Sequence, residues 1–260
     1  MTYRFFTILS ITAAALLGWS CEKNALTLPV EAVTEGARIK LYHAAPEAAG
    51  VNLFVNGQKV SGFTPAGASA TSPGTPVPIN YNTIFPAAGA NYAVIDAGQP
   101  TLRLTSPAST TGGAETALYE QRTTLETNKY YSLFVAGSGT SPEVLLVNDD
   151  FSQATDPAKF YYRFVNLIPG PARYDLVQTN GTGGVLVADV PYKGASPFLA
   201  IDAAANPAFA LRLTGTSANV GTYSFTLSSL YNGRVLTIVA RGMAGKTGSA
   251  APGLVAYLNR

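Results

Sequence analysis

Cysteine, tryptophan and histidine each occur once in this 260-residue chain, as Cys21, Trp19 and His43. A single cysteine allows no internal disulfide, so any folded part is expected to hold together by packing. One histidine and one cysteine cannot supply the clustered ligands of a zinc site, and the expectation is no metal and no cofactor. The only tryptophan precedes Cys21, so a sandwich core here would lack the Cys–Trp–Cys pin of antibody domains. Charge is scarce as well, at 12% of residues with a net +2. No Lys/Arg cluster stands out, which argues against nucleic acid as a partner. Low charge beside 47% hydrophobic residues also excludes disorder driven by self-repulsion.

What the chain does have is 25 Gly, 17 Pro, 14 Tyr and 12 Phe. Short β-prone runs between Gly/Pro turns point to an all-β sandwich or barrel. No window after the first twenty residues has a 3.6-residue period. VNLFVNG at 51–57 ends in Asn56-Gly57, a strong hairpin signal because both residues tolerate positive φ. TYSFTLSSL at 222–230 alternates, placing Tyr223, Phe225 and Leu227 on one face.

Residues 1–20, MTYRFFTILSITAAALLGWS, have the shape of a signal peptide: an early Arg4, an uncharged apolar stretch, and small residues before Cys21. The segment resembles a bacterial lipoprotein signal at Leu16, Leu17, Gly18 and Ser20, with SCEKN of Bacteroidota-like form. That resemblance implies lipid attachment at Cys21, a partner in the membrane, and a place in the cell envelope at the outer membrane. Each buried CH₂ of a lipid chain contributes about 0.8 kcal/mol, so two chains anchor stably. The alternative is a buried structural cysteine.

The chain repeats itself. ARIKLYHAAPEAAGVNLFVNG at 37–57 resembles YYRFVNLIPGPARYDLVQTNG at 161–181, with His43 opposite Asn166 and Pro46 opposite Pro169. IDA at 95–97 matches 201–203, LRLT at 102–105 matches 211–214, and 125–137 matches 230–242 in the same order. The expected organisation is a signal peptide at 1–20, a lipidated tether at 21–36 and a first β-sandwich module at 37–152. A linker at 153–159 and a second module at 160–260 follow. About seven strands per copy are expected, giving two tandem immunoglobulin-like β-sandwich modules. A Pro/Gly/Ser/Thr-rich insertion near 61–78 reads as a surface loop and candidate recognition loop.

Ala37, Arg38, His43, Ala44, Pro46, Ala48, Val51, Asn56 and Gly57, with Lys129-Tyr130-Tyr131 and the close at Asp149 and Asp150, resemble the envelope proteins grouped as domain of unknown function 4397. The resemblance covers 37–152. In the second copy Asn166 and Pro169 fit while Ile168 and Arg173 depart. It implies secreted or lipid-anchored β-sandwich modules and brings no catalytic residues with it.

Chemistry finds few footholds. A serine triad would need His43, and no Gly-x-Ser-x-Gly elbow exists, since GASAT and GSGTS miss its spacing. Because the repeat places Asn166 where His43 stands, a shared role in tying backbone at a strand end explains both residues. Asn148, Asp149, Asp150 and Asp156 offer oxygen ligands to calcium but lack a calcium-loop spacing, and the reading favoured over calcium is a solvated interdomain turn. Tyr130, Tyr131, Tyr161 and Tyr162 form two adjacent pairs, suited to core packing or to stacking on a ligand. The expectation is a non-enzyme with no catalytic residue, binding or adhering through a glycan, peptide or envelope protein. The alternatives are an accessory subunit of an envelope complex and a weak carboxylate-based hydrolase.

Overall fold

A computed structural model describes residues 35–61, 77–87, 89–107, 115–139, 141–181, 183–202, 208–220 and 233–260. Cys21, most of the 61–78 insertion and the alternating stretch at 222–230 lie outside the described residues. The described residues belong to one compact unit, and strands dominate it. Among them the only helical element is a 3-10 turn at Gly248–Ala250, and no helix is long and apolar enough to cross a membrane.

In the first half, β1 (Ala37–His43), β2 (Asn52–Val55), β3 (Gln58–Lys59), β4 (Ile84–Phe85) and β5 (Ala93–Ile95) precede β6 (Thr101–Thr105), β7 (Ala117–Arg122), β8 (Tyr130–Ser138) and β9 (Ser141–Asn148). The second half runs β10 (Lys159–Asn166), β11 (Tyr174–Gln178), β12 (Gly184–Val190), β13 (Gly194–Ala195), β14 (Leu199–Asp202), β15 (Phe209–Leu213), β16 (Val235–Arg241) and β17 (Gly253–Leu258). The described strands outnumber seven per half, because short pieces such as β3, β4 and β13 are separate. Asn56 and Gly57 both take positive φ between β2 and β3, as their turn requires.

Four sheets result: β3-β2-β6-β7, then β4-β1-β8-β9 with β5 also on β1, then β13-β10-β16-β17 with β14 also on β10, and finally β12-β11-β15. The repeat is visible in the pairing. Ala37 faces Ile95 as Phe160 faces Ile201, and the parallel pair Ile39–Tyr131 recurs as Tyr162–Leu236. One sequence match is corrected. Leu53 pairs with Leu104 and its counterpart Leu176 with Leu211, so the two LRLT segments sit two residues out of step. A slip of two keeps the apolar set on the same face, which is why the sequences still align.

Each outer sheet closes a core against an inner one. Ile39, Leu41, Leu133 and Val135 meet Leu53, Leu102 and Leu104 in the first half. Phe160, Phe164 and Ile238 meet Leu176, Phe209 and Leu211 in the second. The two inner sheets share a third core, in which Tyr42, Phe134 and Ala136 pack with Val165, Leu167 and Val239. Strands β1, β8, β10 and β16 are therefore buried on both faces. That explains the nearly unbroken apolar runs in KFYYRFVN and YYSLFVAG, since two-sided burial removes the polar face an alternating strand needs.

Candidate functional site

The seam between the two inner sheets holds charge as well as apolar groups. On β10, Arg163 is flanked by Tyr162 and Phe164, which point into the second-half core, so period-two alternation aims Arg163 at the seam. There Arg163 Nη2 lies 2.5 Å from Asp149 Oδ1, with the two side chains 1% and 0% exposed. Asp149 Oδ2 accepts hydrogen bonds from Tyr92 Oη at 2.6 Å and Ser132 Oγ at 2.8 Å. Arg163 Nε donates to Thr237 Oγ1, which donates to Asn259 Oδ1 at 2.7 Å. Asn259 Nδ2 donates to Tyr92 Oη at 2.8 Å, and Tyr257 Oη donates to Ser132 Oγ at 3.0 Å. Lys40, fully buried on β1, donates to the carbonyls of Leu258 at 2.7 Å and Gly89 at 3.0 Å. Burial pulls the Lys40 ammonium down to about 8 despite the nearby Asp149. It pushes the Tyr42, Tyr92 and Tyr257 phenols well above their ordinary range.

The four oxygen-bearing residues considered for calcium do not converge. Asp149, expected in a solvated turn, is buried and paired with Arg163, because the two halves close over it. Asp150 Oδ1 accepts from the Ser152 amide and Asp156 Oδ1 from the Ala158 amide, so each shapes its own turn. Those Ser152 bonds hold the exposed Asp150 carboxyl below its ordinary value. Among the described residues no three His, Cys, Asp or Glu side chains gather as metal ligands.

Above the buried pair the seam opens as a cleft of about 380 Å³, lined by Asn128, Lys129, Tyr130, Asn148, Asp150, Phe151 and Arg260 among others. A smaller cleft of about 110 Å³ adjoins it through Asn148 and Asp150 and ends at Phe198. Aromatic rings run between them in contact: Tyr92–Tyr130 at 5.1 Å, Tyr130–Phe151 at 5.2 Å and Phe151–Phe198 at 5.5 Å between centroids. Tyr130 and Phe151 are half-buried, and the Arg38 guanidinium caps one face of Tyr130 at 5.3 Å.

The tyrosine pairs thus divide by position. Tyr131 is buried, with its hydroxyl accepting the Glu126 amide 2.9 Å away, while its neighbour Tyr130 faces the cleft. Tyr161 and Tyr162 are both buried, since β10 has no solvent face; the Tyr161 hydroxyl accepts the Asp156 amide. Sequence reasoning missed Tyr92 and Phe151 as partners of Tyr130, and Phe198 beyond Phe151, because the four rings come from separated segments and only the closure of the halves adds Phe198 to the row.

His43 is also placed. Its Nε2 donates to the Ala49 carbonyl at 2.9 Å, and its Nδ1 accepts from the Ala45 amide at 3.3 Å. Asn166 repeats this arrangement: Nδ2 donates to the Val190 carbonyl at 2.9 Å and Oδ1 accepts from the Ile168 amide at 3.0 Å. Each residue ties the chain two residues ahead and one loop away. Burial, partly offset by the Ala49 bond, lowers the His43 pKa. A lowered histidine contributes stability above its unfolded value near 6.5 and loses it as pH falls below that value. His43→Asn is expected to leave the fold intact and to flatten this acid limb, read as the drop in melting temperature between pH 7 and pH 5. An unchanged drop would place the acid sensitivity elsewhere.

The model of the domain of unknown function DUF4397 matches residues 37–177. The chain belongs to this family. In this DUF4397 chain the match covers the whole first half and runs on through β10 into β11, beyond the 37–152 span of the resemblance. By sequence, no curated protein matches the chain. Among solved structures, the family 26 carbohydrate-binding module of Eubacterium rectale Amy13K, in complex with maltoheptaose, is 10% identical. The alignment covers 84% of this chain and 99% of that one, with a TM-score of 0.23. A candidate cell adhesion protein of Bacteroides fragilis is 10% identical over 86% of this chain and 98% of its own, with a TM-score of 0.21. Similarities of that size carry no argument about what the DUF4397 chain does.

Proposed function

We propose that this protein is a non-catalytic glycan-binding protein of the bacterial cell envelope, using the seam cleft as its binding site. The observation that supports this is the pair of half-buried rings, Tyr130 and Phe151, set in one cleft with Asn128, Lys129, Asn148, Asp150 and Arg260. Flat aromatic surface suits the C–H faces of a sugar ring, and amide, carboxylate and cationic groups around it suit hydroxyls. On this reading the chain is two immunoglobulin-like modules joined face to face, lipidated at Cys21 and held at the outer membrane. The chemistry is surface complementarity, with no residue turning over substrate.

A glycan array followed by titration calorimetry tests the site. Phe151→Ala is expected to weaken the best-binding glycan about tenfold, which corresponds to ~1.4 kcal/mol, with the melting temperature held near that of the wild type. A glycan bound equally well by wild type and Phe151→Ala would move the site away from the seam. No binding by the wild type across the array would remove the glycan reading.

A further inference from the structure

The charges around the cleft are unevenly matched. Ile39 and Tyr131 point into the first-half core, so alternation turns their neighbours Arg38 and Tyr130 to the seam face, at its open end. One rung deeper on that face Lys40 and Ser132 are sealed from solvent, whereas Arg38 and Tyr130 keep partial exposure. Lys129, just before Tyr130, lines the cleft and is exposed. Arg260 lines it from the second half and is exposed too, with its backbone fixed to β16 where its carbonyl accepts the Val235 amide at 2.9 Å. Among the described residues none of Arg38, Lys129 and Arg260 forms an ion pair.

The two carboxylates that line the same cleft are already engaged. Asp149 is paired with Arg163 at 2.5 Å beneath the surface, and Asp150 accepts the Ser152 amide at 3.0 Å within its own turn. The Lys129 ammonium feels the Asp150 charge without pairing with it. Arg38 is held in place, with Nη1 donating to Asn128 Oδ1 at 2.8 Å and its guanidinium stacked on Tyr130. That leaves Lys129 and Arg260, one from each half, as cations beside the two half-buried rings with no counter-charge of their own.

We propose, on the reading that the seam cleft is the glycan site, that its ligand is an acidic glycan whose sugar ring lies on Tyr130 and Phe151 and whose carboxylate answers Lys129 and Arg260. A guanidinium fork matches a carboxylate in shape as well as charge, and hydrogen bonds to charged groups are stronger than those to hydroxyls alone. A neutral sugar would use the rings and leave both cations unanswered. Because the cations come from different halves, the acid group also ties ligand binding to the closed seam.

Titration calorimetry of the full-length protein with uronic-acid oligosaccharides, each beside its carboxyl-reduced form, tests the assignment. The acids are expected to bind about tenfold more tightly than their reduced forms, the size of two solvent-exposed charge pairs. That advantage should shrink as salt rises from about 0.05 M to about 0.5 M, since exposed pairs are screened. Lys129→Gln and Arg260→Gln should each weaken the acid about fivefold and leave the reduced form unchanged. Asp150→Asn keeps an acceptor for the Ser152 amide while removing the opposing charge, and should tighten the acid. Reduced forms that bind as well as the acids, with binding still lost in Phe151→Ala, would overturn the acidic assignment and leave the site standing. Acid binding unaltered by both Lys129→Gln and Arg260→Gln would overturn it as well. Failure of acids and reduced forms alike to bind would overturn both this assignment and the glycan reading.

Discussion

Replacing Arg163 by Met is expected to lower the unfolding free energy by about 3–5 kcal/mol, the usual cost of breaking a buried ion pair by removing one partner. The loss comes mainly from what is left behind. Asp149 would keep its hydrogen bonds from Tyr92 and Ser132 but lose its directly paired cation, with only the more distant Lys40 ammonium left as counter-charge. The Thr237 hydroxyl would lose its donor, and the face of Phe198, 4.8 Å below the guanidinium carbon, would lose its cation. Methionine fills much of the same volume, so a cavity contributes little to the effect. Denaturant titration of Arg163→Met, Asp149→Leu and the double variant separates pair from packing. The double variant is expected to recover most of the loss, because matched apolar groups avoid the desolvation of either charge. Singles within about 1 kcal/mol of wild type would mean that water reaches the pair, contrary to the 1% and 0% exposures.

The second large effect is expected from Phe134→Ala, at about 3–5 kcal/mol for a fully buried ring. Phe134 stands on β8 but belongs to the core shared by the two halves, beside Tyr257 at 6.4 Å between centroids. Its removal should therefore weaken both halves together. Calorimetry is expected to show one transition for the wild type. In the variant that transition should move down by roughly 10 °C, at ~2–4 °C per kcal/mol for a unit of this size. Two separated transitions in the wild type would show that the halves melt independently and that the third core contributes little.

Much of the local structure can be read from residue order. The Asn56-Gly57 turn, the all-β character and the paired roles of His43 and Asn166 follow from backbone preferences and a repeat, which are local signals. The stacking of the halves was not legible. Lys40, Ser132, Asp149, Arg163 and Asn259 look like solvent-facing members of strands and turns, and nothing in their own neighbourhoods says that a second sheet covers them. They become a buried set only because each offers what another lacks. The cleft was half legible: Tyr130 stood out, but its aromatic neighbours are scattered along the chain. The two-residue offset between the LRLT segments shows the limit of matching letters, since a strand reports which face a residue occupies more firmly than which rung.

The position of β1 has a mechanical consequence. This strand is hydrogen-bonded on one side to β8 from Arg38 to His43, and on the other to β5 and β4. Tension applied through the residues before Ala37 runs along the strand and across all of those bonds together. The load is shared as shear, so rupture requires many bonds to fail at once, where peeling an outer strand breaks them singly. A chain held by its beginning and pulled through whatever it grips would resist at the strand best placed to bear force.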